Sequence, residues 1–161
     1  MSTENIFRTY APLYHAAGIN VIPLYAKSKR PLINAWSDYA GFPIPDEVHK
    51  AWLAMPDNHN IGVVLGKQSN LGMLDIDYAD DHLIEAIKSV LPEGYATWTR
   101  VGKKGMVFAF RFNPKVPDAF KLISKELGTI CEYLCTGQQV VLPPSIHPET
   151  NKPYVANTNL Y

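Results

Sequence analysis

The sequence has few cysteines, no long apolar run and no excess of charge of either sign. Its two cysteines, Cys131 and Cys135, are too few for a disulfide scaffold and favour a reducing compartment. No stretch approaches the ~20 apolar residues of a membrane helix, and residues 1–5 lack the basic start of a signal peptide. Fifteen acidic and fifteen basic residues cancel. We therefore predict a cytoplasmic protein without membrane contact, which can bind nucleic acid only through local basic patches.

The length and composition suit one globular domain. The chain has 161 residues, of which 47% are hydrophobic and 19% are charged, and this balance excludes global disorder. A second domain of ordinary size would not fit in this length. We therefore predict a single domain over residues 1–161.

Hydrophobic spacing, together with the positions of proline and glycine, predicts a mixed α/β (α+β) fold. Helices are predicted over residues 3–17, 45–55 and 82–91, and in the segment that follows Pro117. Strands are predicted over residues 19–24, 61–65, 71–77, 95–101, 106–112, 129–134 and 139–142. Several of these strands follow one another without an intervening helix, which favours antiparallel pairing over a doubly wound parallel sheet.

Two aspartates near the middle of the chain are the most informative residues. Asp75 and Asp77 alternate with Leu74 and Ile76, so in a strand the two carboxylates project to the same side. Like charges this close raise each other's pKa unless a cation neutralises them, and carboxylate oxygens suit Mg²⁺ or Mn²⁺. The alternative is a strand end that reaches solvent, where neighbouring acids are common.

Glu132 is the candidate for a third carboxylate. It lies in an otherwise apolar predicted strand, where a charged side chain is costly to bury unless it is paired or bound to a metal. The alternative is a sheet edge that faces water. Periodicity alone favours neither interpretation.

Basic residues form two local clusters. Lys103 and Lys104 lie between two glycines in a predicted hairpin, and Arg111 follows in the next strand. Lys29 and Arg30 lie in an earlier loop. Ammonium and guanidinium groups beside exposed backbone N–H groups can hold a triphosphate or a nucleic-acid backbone. The alternative for the first cluster is a solvated hairpin tip, and the alternative for the second is a basic coat on an apolar loop.

A proline-bounded loop near the C-terminus presents two further polar residues. Ser145 and His147 follow a predicted strand, and three prolines fix the backbone around them. A serine hydroxyl and an imidazole can both donate hydrogen bonds to a phosphate or a sugar. The alternative is a surface turn in which His147 caps the local backbone.

Taken in order, these segments resemble the N-terminal primase–polymerase domain of the archaeo-eukaryotic primase superfamily, of the type found in phages, plasmids and prophages. The resemblance covers nearly the whole chain, from the segment Ala16-Ala17-Gly18-Ile19-Asn20-Val21-Ile22-Pro23-Leu24 onward. Later motifs that carry it are Ser28-Lys29-Arg30-Pro31-Leu32, Leu74-Asp75-Ile76-Asp77 and the run from Gly137 to Pro148. Each motif alone is unspecific, but their order is fairly specific.

The resemblance implies a fold and an activity. The fold would be a largely antiparallel sheet like that of an RNA-recognition motif, flanked by helices, with an additional small N-terminal α/β unit. Asp75, Asp77 and Glu132 would hold two Mg²⁺ or Mn²⁺ ions. The reaction would add nucleoside triphosphates to a 3′-hydroxyl on a DNA template, in the host cytoplasm. Related proteins often continue into a helicase, and residues 1–161 contain no separate helicase domain.

One position departs from the family. The histidine that commonly follows the glycine turn corresponds here to Val107, and Lys103, Lys104, Arg111 or His147 would have to supply the missing positive charge.

Three hypotheses follow. The domain is a metal-dependent DNA primase/polymerase, a catalytically reduced module that binds nucleotide or single-stranded DNA in a mobile-element replication protein, or a hydrolase that uses the same carboxylates.

Overall fold

The computed structural model describes residues 4–78, 80–91 and 98–161. Within these ranges lie three α-helices and one 3₁₀ helix. They are α1 (Ile6–Ala16), the 3₁₀ helix (Trp36–Ala40), α2 (Asp46–Leu53) and α3 (Asp81–Val90). None of these described helices is long and apolar enough to cross a bilayer.

The strands of the described residues form two antiparallel sheets. In chain order they are β1 (Val21–Leu24), β2 (Asn60–Val64), β3 (Leu71–Ile76), β4 (Thr99–Val101), β5 (Met106–Arg111), β6 (Ala119–Ser124), β7 (Gly128–Leu134), β8 (Gln139–Leu142) and β9 (Val155–Ala156). The small sheet has the order β1-β2-β8, and the large sheet has the order β6-β7-β3-β5-β4-β9. The predicted α+β class with antiparallel pairing is confirmed. The small sheet also takes its third strand, β8, from the C-terminal part of the chain.

Two hydrophobic clusters hold the large sheet in place. The larger cluster joins α1, the small sheet and one face of the large sheet, which contributes Met73, Val107 and Ala109. The smaller cluster lies on the other face, where Ile76 and Phe108 pack with Ile84 of α3. Alternation along β3 and β5 therefore sends successive side chains into different cores. A residue on the Met73 face points toward the small sheet and the loops that follow its strands.

The prediction of a helix after Pro117 is wrong, because this segment forms strand β6. Phe120 of β6 stacks on Tyr133 of β7, with ring centroids 5.1 Å apart, and Lys121 lies opposite Glu132. Gly128, with φ of +75°, closes the β6–β7 hairpin. These cross-strand pairs outweigh a helix-start signal that rested on one proline. For the strand predicted over 95–101, residues 95–97 lie outside the described ranges, and β4 covers Thr99–Val101.

A buried histidine on α2 gives the fold a pH dependence. His49 is buried and stacks on His15, with ring centroids 4.1 Å apart and an interplanar angle of 7°. Burial lowers the pKa of His49, the charge of His15 lowers it further, and Asp46 opposes both. The folded protein therefore holds His49 neutral at a pH where the unfolded chain already takes up a proton.

We expect the free energy of unfolding to fall as the pH drops from about 7 to about 5, because the unfolded state then binds more protons than the folded state. Urea unfolding at both pH values measures this loss. The loss should be smaller in the His49→Leu variant and unchanged in His82→Gln, whose histidine is exposed. An identical loss in wild type and His49→Leu would contradict the assignment.

Candidate active site

A row of directly opposed residues crosses the large sheet on the face that carries Met73. From edge to edge the row is Lys121, Glu132, Asp75, Val107, Arg100 and Ala156. Directly opposed residues of antiparallel strands place their side chains on the same face, about 4.5–5.5 Å apart at Cβ. Strand register therefore brings Asp75 and Glu132 together, although 57 positions separate them in the sequence.

The pKa of Asp75 lies above its usual range. Burial is the largest cause, and the charges of Asp77 and Glu132 raise the pKa further. Arg100 and Lys29 oppose this shift, so both cations act on the same carboxylate. The site thus places three carboxylates and two cations within electrostatic reach of one another.

Asp77 and Glu132 each face a lysine. Lys104 Nζ lies 3.6 Å from Asp77 Oδ1, and Lys121 Nζ lies 3.2 Å from Glu132 Oε1. Asp77 follows the last residue of β3, and its N–H still donates to the Ile130 carbonyl at 3.1 Å, so the β3–β7 ladder continues past Ile76. Within the described ranges, no three His, Cys, Asp or Glu side chains are grouped so that they could hold a metal ion. The metal role of the three carboxylates stays a prediction.

The turn between β4 and β5 packs against the end of β3 that carries these acids. Gly105 has φ of +64°, and a Cβ there would lie 1.7 Å from the Ile76 carbonyl oxygen and 3.3 Å from the Tyr78 nitrogen. The close backbone approach that glycine allows is therefore to the backbone on both sides of Asp77. This contact fixes the position of Asp77 relative to the lysines of the turn.

The lysines that the sequence predicts to bind phosphate lie beside the end of β3 that carries Asp75 and Asp77. Lys104 is the neighbour of Asp77, and Lys103 pairs with Glu149 in the loop after β8. Lys29 is exposed, and its charge acts on both Asp75 and His147. Together these three lysines form a basic border beside the acids.

The two predicted arginines lie elsewhere. Arg30 is exposed, and its guanidinium lies over the ring of Tyr25, 5.4 Å from the centroid. Arg111 is opposite Leu71, four positions along β5 from Val107, where it lines a groove of about 950 Å³ with Asn70 and other residues. Arg111 is thus at the opposite end of β3 from Asp75, and its predicted phosphate role has no support from this placement.

The loop after β8 carries Ser145 and His147, whose surroundings differ from each other. Ser145 is fully buried, and its hydroxyl accepts from the Ile61 N–H at 2.8 Å and donates to the Ile61 carbonyl at 3.3 Å. This hydroxyl is committed to the backbone of β2. Its role in nucleotide binding stays a prediction that the placement does not favour.

His147 caps the local backbone, as the alternative of a surface turn expects, but the residue is buried rather than at the surface. Its Nδ1 accepts from the N–H groups of Glu149 at 3.1 Å and Thr150 at 3.3 Å. Burial lowers the pKa of His147, and the charge of Lys29 lowers it further. A neutral ring that accepts at Nδ1 carries its proton on Nε2, which leaves a donor for a ligand.

Arg100 is the site residue that sequence reasoning missed. Its side chain is 7% exposed, and its Cζ lies 4.4 Å from the centroid of the Tyr154 ring. The signal available in the sequence was alternation in β4, because Trp98 and Arg100 share a face and Trp98 is buried. The sequence pattern predicts this segment only as one strand of a basic hairpin.

Comparison with known families places this arrangement in context. The sequence profile of the family described as "Bifunctional DNA primase/polymerase, N-terminal" matches residues 11–159, which include the whole row of opposed residues. Comparison with curated proteins finds no match. The predicted resemblance is confirmed over nearly the full length. This chain belongs to the family of bifunctional DNA primase/polymerase N-terminal domains.

Proposed function

We propose that this domain is a metal-dependent nucleotidyltransferase that adds nucleotides to the 3′-hydroxyl of a primer on a DNA template. The observation that carries the proposal is the register of β3 and β7, which sets Asp75 opposite Glu132 with Asp77 beside them. Three carboxylates from two strands, bordered by lysines, match what transfer of a nucleotide from a triphosphate requires. Family membership supports the same reaction class.

The donor chemistry of the three carboxylates suits Mg²⁺ or Mn²⁺, although their side chains are not grouped as a metal site in the described structure. Asp75 is partly buried, and two further carboxylates raise its pKa, so a divalent cation would relieve the repulsion among them. All three donors are hard oxygen ligands, which these ions prefer. We propose that Asp75, Asp77 and Glu132 hold the ions. Such ions, when bound, activate the attacking hydroxyl and stabilise charge on the reacting phosphate.

The basic border supplies the groups that would bind the triphosphate. Lys29 and Lys103 place ammonium groups near His147, and the charges of these two lysines act on its imidazole. The Nε2–H of His147 is a neutral donor that can bind a phosphate oxygen. We propose that these residues orient the triphosphate so that its α-phosphate lies beside the carboxylates. The primer hydroxyl would then approach from the solvent side of Asp77, which is exposed.

The net charge of zero limits how strongly the domain alone is attracted to DNA. With equal numbers of acidic and basic residues, the domain has no long-range attraction for DNA, and its phosphate contacts are local. We propose that a helicase or another replication protein keeps it on the template, because tethering raises the effective concentration of a weak binder.

One observation favours a second candidate, a module that binds nucleotide or single-stranded DNA without catalysis. Val107 is 2% exposed and lies in the row between Asp75 and Arg100, where the family resemblance predicts a histidine. An apolar side chain there removes a phosphate donor from the centre of the site. The second candidate predicts binding that weakens with salt and no incorporation of nucleotide with either metal.

A primer-extension assay separates the candidates. Wild-type protein is incubated with a labelled primer, deoxynucleotides or ribonucleotides, and Mg²⁺ or Mn²⁺, with and without template. We expect extension that requires both template and metal. Release of phosphate without a template would identify a hydrolase. Binding of DNA or nucleotide without extension under all conditions would identify the non-catalytic module and overturn the proposed function.

A further inference from the structure

Arg100 is a buried cation whose hydrogen-bonding groups are incompletely used. The residue is 7% exposed, and its Nε has no hydrogen-bond partner among the described residues. A charged group is costly to bury unless it is paired and hydrogen-bonded. Arg100 therefore keeps a donor at Nε that a bound ligand could satisfy.

Three of the other cations around the carboxylates already have acidic neighbours, whereas Lys29, like Arg100, forms no ion pair among the described residues. Lys121 is beside Glu132, Lys104 is beside Asp77, and Lys103 pairs with Glu149. Arg100 forms no ion pair with a carboxylate in the part of the chain that the structure describes. Its charge nevertheless acts on Asp75, from which Val107 separates it in the row. The guanidinium is thus a cation close to the acids that is not paired with any of them.

The ring of Tyr154 holds the guanidinium in a defined orientation. The 4.4 Å separation of the Arg100 Cζ from the ring centroid is a cation–π contact, and Tyr154 is itself buried. Tyr154 also packs against His147, with ring centroids 5.1 Å apart. The contact restricts the motion of the guanidinium, which lowers the entropy lost when its N–H groups bind a ligand.

We propose that Arg100 binds the phosphate oxygens of the incoming nucleoside triphosphate and supplies the positive charge that Val107 does not. The inference rests on the proposed function. Arg100 would act beside Lys29, Lys103 and His147, which the proposed function also places at the triphosphate. The planar guanidinium donates to two oxygens of a phosphate at once, whereas lysine acts as a point charge. Tyr154 is a positioning residue that acts through Arg100.

The test compares Arg100→Gln, Arg100→Lys and the control Lys125→Gln, whose lysine is exposed in the β6–β7 turn. Binding of inorganic tripolyphosphate is measured by calorimetry with and without Mg²⁺, and the nucleotide KM is measured by primer extension. We expect Arg100→Gln to weaken tripolyphosphate binding and raise the KM by roughly 10- to 100-fold, the effect of losing hydrogen bonds to a charged group. Arg100→Lys should lie between Arg100→Gln and wild type, and Lys125→Gln should match wild type.

Several outcomes would overturn the inference. One is a folded Arg100→Gln variant with wild-type affinity and KM. Another is a fall in kcat alone, which would mean that Arg100 acts only as a structural counter-charge to Asp75. If Arg100→Gln does not fold, wild-type affinity in Arg100→Lys contradicts the bidentate contact. Wild-type protein that binds tripolyphosphate through Arg100 but extends no primer would overturn the proposed function and leave the phosphate site standing.

Discussion

Replacing Asp75 by asparagine is expected to reduce primer extension by at least about 10³-fold while the protein stays folded. Asparagine keeps the size of the side chain but removes the negative charge that we propose for metal binding. Loss of metal-assisted stabilisation of the reacting phosphate is worth several kcal/mol, and about 1.4 kcal/mol corresponds to a factor of ten in rate. Extension with Mg²⁺ and with Mn²⁺ measures the effect.

The stability of the same variant has a predictable sign. Burial and the charges of Asp77 and Glu132 raise the pKa of Asp75, so the fold favours its neutral form. At neutral pH the ionised carboxylate therefore costs folding free energy, which asparagine does not. We expect the melting temperature of Asp75→Asn to equal or exceed that of wild type in metal-free buffer. Lost activity together with retained or increased stability is the signature of a functional carboxylate.

Asp118→Asn is the matched control, because Asp118 is exposed in the segment before β6. It should leave both extension and melting temperature close to the wild-type values. Extension by Asp75→Asn within about tenfold of wild type would contradict the metal role of Asp75. A melting temperature well below wild type would instead assign Asp75 a structural role, since a neutral isostere would then remove a stabilising interaction.

Local pattern was enough to predict the strand that carries the aspartates. Leu74 and Ile76 alternate with Asp75 in β3, and the strand ends one residue before the predicted limit at Asp77. Period-two alternation fixes which face each side chain takes, and it does so within a few residues. The same pattern could not show what lies opposite Asp75. That neighbour, Glu132, is set by strand register, which depends on residues far apart in the sequence.

The errors come from segments whose local pattern is ambiguous. In β6, Phe120 and Leu122 alternate with Lys121, but the preceding Pro117 is equally typical of a helix start. The ring of Tyr133 decides the outcome, because it stacks on Phe120 and makes the strand favourable. Arg100 was missed for a related reason, since its burial depends on Tyr154, which lies 54 positions further along.

Replacing Gly105 by alanine is expected to destabilise the fold by roughly 2–4 kcal/mol, among the largest effects of a single substitution. A Cβ at this position would lie 1.7 Å from the Ile76 carbonyl oxygen and 2.8 Å from the Ile76 carbonyl carbon. Both atoms belong to the backbone, so no side chain can rotate to make room. The β4–β5 turn would have to move away from the end of β3, and Asp77 would lose its fixed position. Urea unfolding measures the loss of stability.

Gly128→Ala separates the two parts of this cost. Gly128 has φ of +75°, close to the +64° of Gly105, but a Cβ there would meet no atom within 4 Å. Its replacement therefore adds only the backbone strain of a left-handed conformation, about 1 kcal/mol. We expect Gly105→Ala to cost clearly more than Gly128→Ala and, under the proposed function, to lower primer extension as well. Equal losses in the two variants would show that the turn yields easily, and that its contact with Ile76 does not hold Asp77 in place.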